Sequence, residues 1–115
     1  SVADDGEAAR EAARPPVAFI AAGSPPPVLK RHGIDADRAD DIGAAISAGD
    51  FSDAFDRVTP AMIDAFCAAG TVDEVADRLA AVLEYADSVV VGSPLGPDLD
   101  AAIDLAAEAH ERAQE

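Results

Sequence analysis

Gly92-Ser93-Pro94-Leu95-Gly96-Pro97 is the stretch of this chain whose residue types suit contact with a ligand. Glycine lets a backbone come close to a bound molecule, and Ser93 offers both a hydroxyl and an N–H. The hexapeptide follows a short β-branched run, Ser88 to Val91, and opens the last helix of the chain. Open sheets and barrels place their ligands at the carboxyl ends of strands. Helix N-termini behind such turns often take phosphate. Here Pro97 removes one N–H, and Asp98 and Asp100 put negative charge in the first turn; both oppose an anion. A ligand meeting this turn is therefore expected to present a neutral or planar part. A tight βα turn with no ligand role is the competing reading.

Little else in the chain is arranged for chemistry. There is no P-loop and no GxGxxG motif. His32 and His110 lie far apart and read as solvated or capping residues, so no metal site is expected. Asp4-Asp5 and Asp40-Asp41 are adjacent pairs, and neighbours on a helix point in different directions. They make poor catalytic dyads, and no catalytic acid or base is assigned. Cys67 is the single cysteine, which rules out an internal disulfide. It sits in an apolar helical stretch and reads as a buried structural thiol. A reducing cytoplasm fits this usage.

The elements that would position the turn are mostly helical. Residues 4 to 13 are rich in Ala and other helix formers, and Arg14-Pro15-Pro16 interrupts them. The apolar run Val17 to Ala22 is too short for periodicity to choose between strand and buried helix. Gly23-Ser24-Pro25-Pro26-Pro27 breaks the chain. Val28 to His32 makes a helical turn closed by Gly33 as a left-handed cap. Asp35 or Asp37 caps the next helix, which turns Ile42, Ala45 and Ile46 inward and ends at Gly49-Asp50. Phe51, Ala54, Phe55 and Val58 share one helical face. Thr59-Pro60 starts another helix, with Thr59 as N-cap and Pro60 where its missing N–H costs nothing. Met62, Ile63 and Phe66 are its apolar face.

The segment from Thr71 to Pro97 is the best specified. Thr71 and Glu74 form a capping box, in which each side chain satisfies an orphan backbone donor. Val72, Val75, Leu79, Val82 and Leu83 lie on one face of that helix. Ser88 to Val91 is apolar on both faces, the pattern of a strand buried in a parallel sheet. Asp98 to Ala113 forms the final helix, with Leu99, Ile103 and Ala106 inward and His110 and Arg112 at the negative end of the dipole. One αβ step and a βα turn are thus present, while the rest of the chain supplies almost no further strand. A parallel strand needs neighbours for its backbone groups.

Composition narrows the partners. The 115 residues suit one small domain with a lean core of much Ala, four Phe, one Tyr and no Trp. There are 23 acidic and 8 basic residues, a net charge of −15, and Lys30 is the only lysine. Such a field repels nucleic-acid phosphates and anionic membranes. The acids are scattered over helix faces rather than bunched as in an interaction tail. That distribution suits a surface kept soluble at high salt, where self-repulsion is screened. No apolar run reaches the length of a membrane span. The start at Ser1 rather than Met points to a fragment or a processed product.

The run Phe66-Cys67-Ala68-Ala69-Gly70-Thr71-Val72-Asp73-Glu74-Val75-Ala76-Asp77-Arg78-Leu79 resembles the F-x-x-x-G-T-x-E-E-V-A-x-R-L segment of luciferase-like flavin and deazaflavin enzymes, which are TIM barrels. The downstream VVVGSPLGPD and the upstream RPPVAFIAAGSPPPVLKRHGID are similar, more narrowly, to methylenetetrahydromethanopterin reductases. Together these stretches cover most of residues 10 to 110. The resemblance implies an α/β fold: the C-terminal fragment of a luciferase-like (β/α)8 barrel, mostly helical, with one buried strand near 88–92. Residues 1–115 would then be part of a single barrel domain, incomplete alone, since such a barrel needs about 250 residues. The Val17–Ala22 run would be a helix outside the barrel.

The implied activity is hydride transfer between the deazaflavin coenzyme F420 and a methylene-tetrahydropterin, of methanopterin or folate type; FMN is the alternative cofactor. By the same resemblance Gly92, Ser93 and Pro94 would line the ring end of the pocket, with the catalytic groups on earlier strands outside this chain. The acidic, lysine-poor surface looks like that of a halophilic archaeal member. The implied small-molecule partner is the pterin, and the candidate protein partner is a further copy of the protein or a complementary N-terminal barrel portion. A self-standing acidic helical module that binds another protein is the rival reading.

Overall fold

The computed structural model describes residues 1–115. Seven helices account for its regular structure: α1 (Gly6–Gly23), α2 (Pro26–Arg31), α3 (Ala36–Ser47), α4 (Phe51–Asp56), α5 (Pro60–Phe66), α6 (Val72–Leu83) and α7 (Leu99–Ala113). They divide into two compact units, one of Ser1–Ala13 with Ala68–Glu115 and the other of Arg14–Cys67. The residues of α1 are shared between them.

Helix α1 runs through Pro15 and Pro16, where the sequence suggested an interruption. An interior proline costs about 3 kcal/mol, because it removes a donor and crowds the preceding turn. Burial offsets this: Val17, Ala18 and Ala21 are at most 1% exposed. The ambiguous Val17–Ala22 run is therefore helix.

Within the Arg14–Cys67 unit the helix ends follow local chemistry. Gly33 has φ 69°, and the Ile34 N–H donates to the Leu29 carbonyl at 2.9 Å, closing α2 with a left-handed cap. The Asp35 carboxylate accepts from the Asp37 N–H at 2.9 Å, and that of Asp50 from the Asp53 N–H at 3.2 Å. Thr59 Oγ1 accepts from the Met62 N–H at 3.2 Å, with Pro60 in the first helical turn. Arg14 donates to the carbonyls of Phe55 (3.2 Å) and Val58 (2.9 Å), tying α1 to the end of α4. Val17, Ile42 and Met62 are the largest fully buried side chains. Phe51, expected inward with Ala54 and Val58, is instead 47% exposed and lies beside the Phe19 and Phe55 rings. Cys67, expected buried, is half-buried at the end of α5.

In the other unit α6 packs against α7 around Val75, Ala76, Leu79, Ala102 and Ala109, with Val2 in the same cluster. Ser1–Ala3 runs parallel to Gly70: Gly70 N–H donates to the Ser1 carbonyl at 3.0 Å and Ala3 N–H to the Gly70 carbonyl at 3.2 Å. This single bridge is the only β pairing in the chain.

Two expectations fail here. The buried strand near 88–92 is absent: the segment carries no strand, and Val90 is 94% and Val91 49% exposed. A strand is stabilised by its neighbours' N–H and C=O groups, and no second run lies beside this one. The inward face of α7 is also different. Ala102 and Ala109 are fully buried, while Leu99 is 63% and Ile103 53% exposed. Helix α6 takes the small-residue side, because alanines let two helix backbones approach closely; the larger apolar side is left uncovered.

Candidate functional site

Local chemistry fixes both ends of the segment that carries the turn. On the near side, the Thr71–Glu74 capping box starts α6, with Glu74 accepting from the Thr71 N–H at 3.2 Å and Thr71 Oγ1 from the Glu74 N–H at 3.4 Å. Helix α6 closes with the Tyr85 and Ala86 N–H groups donating to the Val82 carbonyl at 3.0 Å. On the far side the Val2 N–H donates to the Leu95 carbonyl at 2.8 Å. The Asp98 carboxylate accepts from the Ala101 N–H at 3.3 Å and caps α7.

Gly96 is required by close approach. A Cβ at this position would lie 2.4 Å from the Val2 carbonyl oxygen and 2.8 Å from the Ala102 Cβ, so no other residue fits without moving backbone. The sequence reading singled out the hexapeptide but not this glycine, because the contact depends on residues far away in the chain.

Between these anchors Gly92 and Ser93 are exposed and Pro94 is half-buried, with a cis peptide bond joining Ser93 to Pro94. A Cβ at Gly92 would meet nothing within 4 Å, so the backbone there is open to an approaching flat group. The donor set is two backbone N–H groups and one hydroxyl, with no cation among them. Asp98 already occupies one first-turn donor of α7, and with Asp100 it sets negative charge against an anion at that helix start.

Beside the turn lies an apolar groove of about 370 Å³. Val89, Val91 and Leu95 form one wall; Ile103, Ala106, Ala107 and His110 form the other. Gly92, Ser93 and Pro94 cross over between Val91 and Leu95 and are not part of this lining. The structure thus keeps the three together as one turn but does not bring them into the groove. His110, read from sequence as a helix-end residue, is half-buried and is the groove's titratable side chain. Its spacing could have shown this, since it follows Ile103 by seven residues and Ala106 by four, on one helical face. Arg112, by contrast, faces α6. The charge of Glu108, with a hydrogen bond to Asp73, holds its guanidinium pKa above the ordinary value.

The family model described as luciferase-like monooxygenase matches residues 1–90. The 5,10-methylenetetrahydromethanopterin reductase of Methanopyrus kandleri is 47% identical over 106 residues, covering 91% of this chain and 30% of the relative. That of Methanolobus tindarius is 45% identical over 107 residues, covering 91% and 33%. Among solved structures, the coenzyme F420-dependent tetrahydromethanopterin reductase of M. kandleri superposes with a TM-score of 0.89 at 47% identity, over 91% of this chain and 30% of that one. The chain spans 30–33% of the length of these curated relatives. With more than half its residues matched by the family model and its helices superposing on a solved reductase, this chain belongs to the luciferase-like monooxygenase family.

Proposed function

We propose that these 115 residues are the C-terminal portion of a luciferase-like barrel whose complete form passes a hydride between coenzyme F420 and a methylene-tetrahydropterin. The observation that carries this reading is the 47% identity and TM-score of 0.89 to an F420-dependent reductase. The pterin is of methanopterin type, as in the names of the relatives. The expected setting is the cytoplasm, and no helix is long and apolar enough to cross a membrane.

The turn's chemistry fits the ring end of such a coenzyme. Gly92 leaves open space for a flat face, and the Ser93 hydroxyl and N–H suit the polar edge of a heterocycle. The turn carries no cation, and the acids at the start of α7 disfavour a phosphate beside it. When bound, the deazaflavin supplies the hydride chemistry. The chain's own residues contact and orient the ring and help exclude water. The remaining contacts, and any group that moves a proton, fall to the complementary barrel portion.

The test joins these 115 residues to the part of the M. kandleri relative that they do not match. Deazaflavin absorbance is then followed with methylenetetrahydromethanopterin as substrate. Turnover is the expected result, and Gly92→Val should raise KM for the deazaflavin roughly tenfold by filling the open face. A folded chimera with no deazaflavin-dependent turnover would refute the reading.

A further inference from the structure

We infer that Gly96 is a positioning residue for coenzyme binding: the close contact it makes with Val2 sets where the Gly92–Pro94 turn stands against the coenzyme ring. This deepens the proposed function and rests on its reading of that turn.

The turn has little of its own to hold it. The Tyr85 and Ala86 N–H groups bond the Val82 carbonyl at the end of α6, and from Asp87 to Pro94 no backbone group bonds another. Gly92 and Ser93 are exposed, and a Cβ at Gly92 would meet nothing within 4 Å. A segment with so few contacts opens locally at small free-energy cost. The first fixed point downstream is the Leu95 carbonyl, which accepts from the Val2 N–H at 2.8 Å. Gly96 follows directly, packed so closely that a Cβ there would overlap the Val2 carbonyl oxygen and the Ala102 Cβ.

Val2 is not free to give way. Its side chain is 3% exposed, in the cluster with Val75, Leu79 and Ala102. Its neighbours are bonded on the other edge of the segment: the Gly70 N–H donates to the Ser1 carbonyl at 3.0 Å, and the Ala3 N–H to the Gly70 carbonyl at 3.2 Å. Gly70 immediately precedes the Thr71–Glu74 capping box. Backbone contacts thus run from the start of α6 through Val2 to Leu95 and Gly96, and the turn hangs from their end. A side chain added at Gly96 has to move Leu95, and Leu95 is joined directly to Pro94. Misplacing a binding group by about 1 Å can cost up to a hundredfold in rate.

A clamp that positions the turn and a glycine that merely packs leave different kinetic marks. Loss of folded protein lowers the amount of active enzyme, and so the apparent kcat, with KM unchanged. A displaced ring contact raises KM for the coenzyme, while kcat moves less because the reacting groups lie outside this chain.

The experiment uses the chimera of these 115 residues with the unmatched part of the M. kandleri relative. Gly96→Ala should raise KM for the deazaflavin about tenfold, with kcat per folded enzyme within about twofold of the parent. Gly43→Ala, inside α3, should change neither. In a Gly92→Val background, where the ring contact is already lost, Gly96→Ala should raise KM by less than about threefold more. In the isotopically labelled 115-residue chain, Gly96→Ala should shift the amide resonances of Gly92 and Ser93. If the Gly96→Ala chimera does not fold, Gly96→Ala with Ala102→Gly, which removes one of the two overlaps, is measured in its place. A fall in apparent kcat with KM unchanged, or unmoved Gly92 and Ser93 resonances, would make Gly96 a packing residue and overturn the inference while the proposed function stands. Fully multiplicative effects of Gly92→Val and Gly96→Ala on KM would overturn it as well, since Gly96 would not then act through the turn. A folded chimera without deazaflavin-dependent turnover in any form would sink the proposed function and this inference with it.

Discussion

Gly96→Ala should destabilise the unit formed by Ser1–Ala13 and Ala68–Glu115, although Gly→Ala on a compatible backbone is normally stabilising by about 0.4–1 kcal/mol. The added methyl would sit 2.4 Å from the Val2 carbonyl oxygen and 2.8 Å from the Ala102 Cβ. Both are far inside the ordinary 3.5–4.0 Å contact range, and one is a backbone atom that cannot rotate away. Relief requires the Val2–Leu95 hydrogen bond to lengthen or α7 to shift from α6. Overpacking of this kind costs about 1–3 kcal/mol, and loss of the hydrogen bond about 1 kcal/mol more. A net loss of about 2–3 kcal/mol corresponds to a fall of roughly 1–2 M in the urea midpoint, with m unchanged. Gly43→Ala is the matched control. It lies inside α3, where a Cβ would meet only the Ala22 Cβ at 3.8 Å, so the substitution should be stabilising by about 0.5–1 kcal/mol. Urea unfolding followed by circular dichroism in high salt reads both variants. If Gly96→Ala matched or exceeded the parent while Gly43→Ala behaved as stated, the close packing of Val2, Gly96 and Ala102 would not be a feature of the folded chain.

Thr71→Ala removes half of the α6 capping box and should cost about 1 kcal/mol, seen as a lower thermal midpoint. Arg14→Met removes the side-chain donor shared by the Phe55 and Val58 carbonyls, leaving Phe55 with the Val58 N–H, and should cost about 1–3 kcal/mol in the same measurement, whereas Arg14→Lys should recover part of the loss. With a net charge of −15 and surface ion pairs such as Arg57–Asp53, raising salt from low to molar concentration should raise the thermal midpoint, because screened self-repulsion outweighs the weakened pairs. A midpoint flat or falling with salt would contradict the high-salt surface reading.

The helix starts were the most legible feature. Asp35, Thr59 and the Thr71–Glu74 box all cap the helices read from them, as does the left-handed Gly33. The family segment around Gly70-Thr71 was legible too, through residue types at set spacing. The candidate site was legible only in part. Gly92, Ser93 and Pro94 do form one exposed turn, but the groove beside it takes His110 from the far end of α7. Gly96 earned its place through Val2, some ninety residues away in the chain.

The sequence by itself determined where helices begin, because a cap is a bond between groups three residues apart and needs nothing else. It also determined the acidic surface and the β-forming character of Val89–Val91. Tertiary structure decided what those tendencies became. It carried α1 through Pro15-Pro16, because burial of Val17, Ala18 and Ala21 outweighs two missing donors. It turned the alanine side of α7 inward against α6 and left Leu99 and Ile103 outside. It also left Val89–Val91 without a ladder. A strand is a property of at least two segments, and the second is not among these residues.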